Sequence, residues 1–148
     1  MGNLYEYFRA ADDDVAVTAF EHGAAHAGLA GLGALKGAEP TTFAIPVEAL
    51  LTGLSKDEVS ADPRSLALIS PEEPEGPWVV SLTDRLRDGL AEVPQEGLLP
   101  LAERWCETEP DDAVGIAPES LADFLGRLAA LAADAREREE RLYCWMCL

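Results

Sequence analysis

The sequence predicts a single α+β domain over residues 1–148. It has a small mixed or antiparallel sheet with helices packed on one side, and a long helix near the C-terminus followed by a final strand. Three observations carry this reading. Hydrophobic residues make up 48% of the chain, which is enough to build a core beneath a heavily charged surface. Leu121, Phe124, Leu125, Leu128, Leu131, Ala132 and Ala135 recur at helical spacing, marking one long amphipathic helix from Pro118 to about residue 140. Residues 142–148, Leu-Tyr-Cys-Trp-Met-Cys-Leu, are too apolar for an exposed tail and read as a strand inside the sheet.

The remaining elements follow in chain order. Residues 3–8 alternate, with Leu4, Glu6 and Phe8 on one face and Tyr5 and Tyr7 on the other, as a strand requires. Asp12 is placed to cap a short helix whose positive end faces Asp13 and Asp14, and this helix is expected to stop near Gly23. From Gly23 to Gly37, glycines among alanines and leucines predict a loop or a weak helix. The β-branched run from Thr41 to Ile45 reads as a strand, followed by a helical turn opened by Pro46 and ended by Gly53. Ser55 and Glu58 have the spacing of a capping box. Leu66–Ile69 and Trp78–Leu82 read as two strands joined by an exposed loop of prolines and glutamates. Thr83–Val93 is an amphipathic helix ended by Pro94, and a shorter helix covers Pro100–Cys106. On the last helix, Asp123/Arg127, Asp134/Arg138 and Glu137/Arg141 are spaced for ion pairs.

Charge is what most limits function. Twenty-eight acidic residues against eleven basic ones give a formal charge of −17. Phosphate recognition relies on Lys and Arg, so the balance argues against nucleic acid, and equally against an anionic membrane surface. It favours basic proteins and cations. No basic-then-apolar leader is visible and no stretch is apolar enough to span a bilayer, so the cytoplasm is the expected location. Glu6 stands where a myristoylation signal beginning at Gly2 wants Ser or Thr.

Two groups of residues have the chemistry of a site. Cys144 and Cys147 have the CxxC spacing that brings thiolates to zinc, and His22 and His26 lie four apart. In a strand, however, the two cysteines point to opposite faces, and Gly23 weakens the helix the histidines need, so no metal is expected there. The second group is Trp105, Cys106, Glu107, Glu109, Asp111 and Asp112, an indole and a thiol followed by a run of carboxylates. These residues are candidates to line a binding pocket, weighed against an exposed acidic loop behind an inward-packed Trp105. The carboxylates lack the ligand spacing and glycine of an EF-hand loop, and they raise rather than lower the pKa of a neighbouring thiol. No phosphate-binding glycine loop, GxSxG elbow or HExxH pair occurs, so no catalytic residue and no cofactor is expected.

The chain resembles a group of small uncharacterised actinobacterial proteins. The segments that carry the likeness are Met1-Gly2-Asn3-Leu4-Tyr5-Glu6-Tyr7-Phe8, Leu50-Leu51-Thr52-Gly53 and Arg141-Leu142-Tyr143-Cys144-Trp145. More distantly, it is similar to YfbM-like proteins in the order of its elements: an aromatic first segment, a central Leu-Leu-Thr-Gly, and a long penultimate helix before an apolar strand. The resemblance implies no activity and assigns no functional residue. The expected function is therefore a non-catalytic acidic module that binds or neutralises a basic protein. The alternative is a small-molecule-binding regulator or enzyme with a pocket near Trp105 and Cys106.

Overall fold

The computed structural model describes residues 3–148, so Met1 and Gly2, which open the first segment of the resemblance, lie outside it. Its strands are β1 (Leu4–Ala10), β2 (Gly31–Gly33), β3 (Trp78–Ser81) and β4 (Arg141–Cys147), in the order β2-β1-β4-β3 with every pairing antiparallel. The helices are α1 (Asp13–Ala16), α2 (Pro40–Thr52), α3 (Lys56–Ser60), α4 (Asp84–Ala91), α5 (Leu98–Thr108) and α6 (Pro118–Glu137). The α+β class, the long helix and the final strand stand as expected. β4 lies in the middle of the sheet, paired along its whole length with β1.

Strand alternation divides the interior in two. Tyr7, Val80, Leu142 and Cys144 face the layer of α2, α4, α5 and α6, where they join Phe43, Val47, Leu86, Leu90, Trp105 and the apolar stripe of α6. Every residue of that stripe is buried. Phe8, Val79 and Tyr143 face the opposite side, against Ala16, Ala19 and Ala24. Here Arg64 reaches both carboxylate oxygens of Asp13, at 3.2 and 3.4 Å, and lies over the Tyr143 ring, whose hydroxyl donates to Asp13 at 2.7 Å. Burial works to raise the Asp13 pKa, but the Tyr143 hydrogen bond and Arg64 outweigh it and hold the carboxyl below its usual range.

Local signals placed several boundaries correctly. Asp12 caps α1 by accepting from Val15 N at 2.9 Å, and Ser55 and Glu58 form both halves of the capping box that starts α3. Of the three ion pairs expected on α6, Asp123–Arg127 forms at 3.7 Å. The helix stops at Glu137, so Arg141 begins β4 and pairs with Asp84 instead. Three segments differ from their sequence reading. The glycine-rich stretch contributes an edge strand, β2, because Gly31 sits where a Cβ would fall 2.7 Å from the Tyr7 carbonyl oxygen and 2.8 Å from Phe8 Cβ. Leu66–Ile69 forms only a single bridge, Leu68 to Val80, although the Leu66 and Ile69 amides donate to the Ser81 and Val79 carbonyls and the Ser81 amide donates to that of Ala67.

The third difference is the largest. Thr41–Ile45 is not a strand but the first half of α2, a helix that continues through Pro46 to Gly53. A proline inside a helix has no N–H for the carbonyl four residues earlier, which here belongs to Thr42. The Trp105 indole N–H donates to that Thr42 carbonyl oxygen at 3.2 Å. A side chain from α5 thus replaces the missing backbone donor, and the helix passes the proline with its carbonyl satisfied.

α2 and α4 are joined by a buried carboxylate. Glu48 Oε1 accepts from the Thr83 hydroxyl while Thr83 Oγ1 caps α4 by accepting from Leu86 N at 3.0 Å. Glu48 Oε2 has Arg85 Nε at 3.4 Å, and Arg85 also reaches Asp62 at 3.6 Å. Burial raises the Glu48 pKa further than Thr83 and Arg85 lower it, and Asp62 adds to the rise.

Two outcomes follow. Trp105→Phe removes the surrogate donor and costs about 1–3 kcal/mol beyond the effect of ring shape, as expected for a carbonyl left unsatisfied. In a Pro46→Ala background the new backbone N–H bonds Thr42, so the same Trp105→Phe change costs measurably less by urea unfolding. Equal costs in both backgrounds would disprove the compensation. For Glu48 the folded-state pKa lies above the unfolded one, so its contribution to stability falls as pH rises between the two values. The stability of Glu48→Gln relative to the native protein should therefore rise through that window and level off above it. A relative fall, followed by thermal unfolding across the same pH range, would contradict the assignment.

Candidate acidic cleft

A cleft of about 740 Å³ opens where the start of β1, the turn after β2, the start of α2 and the loop after α5 meet. Its walls include Tyr5, Lys36, Glu39, Thr42, Asp111 and Asp112. A second hollow of about 380 Å³, under Val114 and Ile116, lies beside it and shares Lys36, Gly37 and Asp112 as walls.

Each wall has a local cause. Tyr5 lies on the helix-facing side of β1, and its hydroxyl accepts from the Asn3 amide at 3.2 Å. Glu39 is the residue before Pro40, held extended at the entrance to α2. Thr42 is fixed by its carbonyl bond from Trp105. Asp111 and Asp112 follow the end of α5, in a turn closed by Ala113 N donating to the Glu109 carbonyl at 2.9 Å. Gly37 has φ +92°, and a Cβ there would stand 3.0 Å from Ile116 Cδ1, so only glycine lets this turn lie against the loop.

The cleft is acidic and unneutralised. Glu39, Asp111 and Asp112 make no ion pair among the described residues, and neither does Lys36. Three carboxylates against one ammonium leave a local excess of negative charge beside an aromatic ring, an arrangement that suits a cation.

The structure separates the residues that the sequence grouped. Asp111 and Asp112 line the cleft. Trp105 is fully buried and supports Thr42 from behind. Glu109 pairs with Lys56 of α3, and Cys106 and Glu107 line neither hollow. Burial, followed by Glu103 and Glu107, raises the Cys106 pKa, which keeps it a thiol and a poor nucleophile at neutral pH. Tyr5, Glu39 and Thr42 were missed, because they lie about seventy residues or more from Asp111 and only the fold brings them to it.

The four weak metal candidates also part company. Cys144 is buried on the helix-facing side of the sheet, with its pKa raised well above the usual thiol range, chiefly by burial. Cys147, three positions on, points to the other face. His22 and His26 stack edge to face, 4.8 Å apart, on a loop held over that other face by Trp145 Nε1 donating to the Phe20 carbonyl and by Glu6 accepting from Ala24 N. Among the described residues, no group of three or more His, Cys, Asp or Glu is placed to hold a metal ion. Nor is any helix among them long and apolar enough to cross a membrane.

None of the family models, curated proteins or solved structures compared with the chain matches it.

Gly37→Ala should cost about 1–2 kcal/mol, because it forces a Cβ into left-handed backbone as well as against Ile116. The amide signals of residues 35–37 and 112–117 should shift while those of the central strands stay in place. A neutral change in thermal unfolding would show that the turn does not need its glycine.

Proposed function

We propose that the protein is a non-catalytic acidic interaction module that binds a basic protein partner in the cytoplasm, with a cationic side chain of that partner entering the cleft between Tyr5, Glu39, Asp111 and Asp112. The observation that carries this is the set of three carboxylates on one concave surface with no cation among the described residues paired to them. A Lys or Arg brought by a partner forms charge-assisted hydrogen bonds that these groups otherwise leave to water, and the Tyr5 ring adds a cation–π surface. The overall charge of −17 steers such a partner from a distance. It repels nucleic acid and anionic lipid by the same field. The other acidic segments suit the role less well: Asp12 caps α1, Asp13 is paired with Arg64, and Glu72, Glu73 and Glu75 lie on an exposed loop that lines neither hollow. Membership of the small actinobacterial group is proposed on the three sequence segments, and the more distant likeness to the YfbM-like proteins on the order of elements.

The test uses a fluorescent peptide of alternating arginines and apolar residues. It should bind at low salt and weaken steeply as the Debye length falls from about 10 Å at 0.1 M to about 3 Å at 1 M. Glu39→Gln, Asp111→Asn and Asp112→Asn together should reduce affinity about tenfold, mainly through slower association. Changing Glu72, Glu73 and Glu75 to Gln removes the same charge from another place. Equal losses from the two triple variants would refute the cleft and leave only a general attraction.

A further inference from the structure

A groove of about 750 Å³ lies on a different part of the surface, between the last turn of α2, the length of α4 and the start of α5. Its floor is apolar: Leu50, Leu51, Val93, Pro94, Pro100 and Leu101. Two of these are prolines, which hold the wall with little conformational freedom left to lose. Gly89 lets α2 pack closely on α4 along this floor, since Leu51 lies 3.3 Å from where a Cβ would stand.

The charges around the floor are mostly committed elsewhere. Asp88 accepts from Arg87 Nε at 2.9 Å, Glu92 is paired with Arg136, and Arg85 is held by Glu48 and Asp62. Arg104 alone among the charged residues of the groove makes no ion pair or side-chain hydrogen bond among the described residues. On a chain of charge −17, the uncommitted charge beside this apolar floor is positive. We infer that the groove binds a small amphipathic carboxylate, a molecule with an unbranched apolar body laid on the leucines and prolines and its carboxylate on Arg104. The groove's volume falls within the usual range for small-molecule sites, about 300–1,000 Å³. Glu96 and Glu103 are exposed close by in sequence, so an extended acidic surface meets repulsion there, whereas a single carboxylate needs only the guanidinium.

The probe is decanoate, titrated below the concentration at which it forms micelles and followed by methyl and amide NMR. A saturable response should map to Leu50, Leu51, Val93 and Leu101. Each loss of two methylenes should weaken binding about tenfold, and acetate should not bind. Decyltrimethylammonium, with the same body and the opposite charge, should bind about tenfold more weakly than decanoate. Arg104→Gln should abolish that preference while leaving thermal unfolding unchanged, since the side chain is exposed and unpartnered. The inference fails if decanoate gives no saturable response, if its response maps elsewhere, or if the cationic and anionic probes bind alike. Binding of an acidic amphipathic peptide without any response to decanoate would assign the groove to a protein partner and overturn it as well.

Discussion

The hydrogen bond from the Trp105 indole to the Thr42 carbonyl is the constraint on which the rest of the helical layer depends. Pro46 would otherwise leave that carbonyl without its helical partner, and α2 would bend or end there. With the indole in place, α2 runs unbroken from Pro40 to Thr52 and carries both ends of the molecule's surface chemistry. Its N-terminal end, with Glu39 just before it and Thr42 in its first turn, faces the acidic cleft, and its last turn presents Leu50 and Leu51 to the apolar groove. The same bond ties α5 to α2, and so sets where Asp111 and Asp112 emerge beyond α5 and where Arg104 lies along it.

Charge is divided between an interior and an exterior use. Most of the arginines are engaged with specific carboxylates: Arg9 with Glu140, Arg64 with Asp13, Arg85 with Glu48 and Asp62, Arg87 with Asp84 and Asp88. The pairs of Arg9, Arg64 and Arg85 join elements distant in sequence, while those of Arg87 lie within α4, and several are sheltered enough to keep solvent from screening them fully. With so few cations in the chain, satisfying these pairs leaves most of the outer carboxylates without an ion pair among the described residues. A strongly acidic surface is thus a consequence of how the basic residues are used, as well as of the composition. Glu48 and Asp13 show the two signs such burial takes. At Asp13 an arginine and a phenol outweigh desolvation, and at Glu48 desolvation outweighs a hydroxyl and a more distant arginine.

Much of the fold was legible because its signals are local. The stripe of α6 has a period that only a helix satisfies, and the apolar run of β4 has no stable place outside a sheet. Ser55 with Glu58, and Asp12 with Val15, act within one turn of chain. The misread segments are those in which a distant residue decides. Thr41–Ile45 has the β-branched composition of a strand, but its backbone follows the helical layer because Trp105 offers the donor that Pro46 lacks. The glycines of 31 and 33 read as loop, but Gly31 is what lets that segment approach Tyr7 and Phe8 closely enough to pair. Of the candidate site, Asp111 and Asp112 stood out as a carboxylate run in a loop. Tyr5, Glu39 and Lys36 carry no mark in the sequence that connects them to it.

Residue order and composition alone set the class of the fold, the long helix and final strand, the start of each capped helix, and the sign of the field that any partner meets. All of these depend on composition or on residues a few positions apart. Long-range packing is what carries α2 through Pro46, places β4 in the interior of an antiparallel sheet, and gathers three carboxylates, unpaired among the described residues, into one cleft. The same packing sets Arg104, which has no ion pair among the described residues, at the border of an apolar groove. Each of these is settled by contacts between residues tens of positions apart, whose energies exist only once the chain has closed on itself.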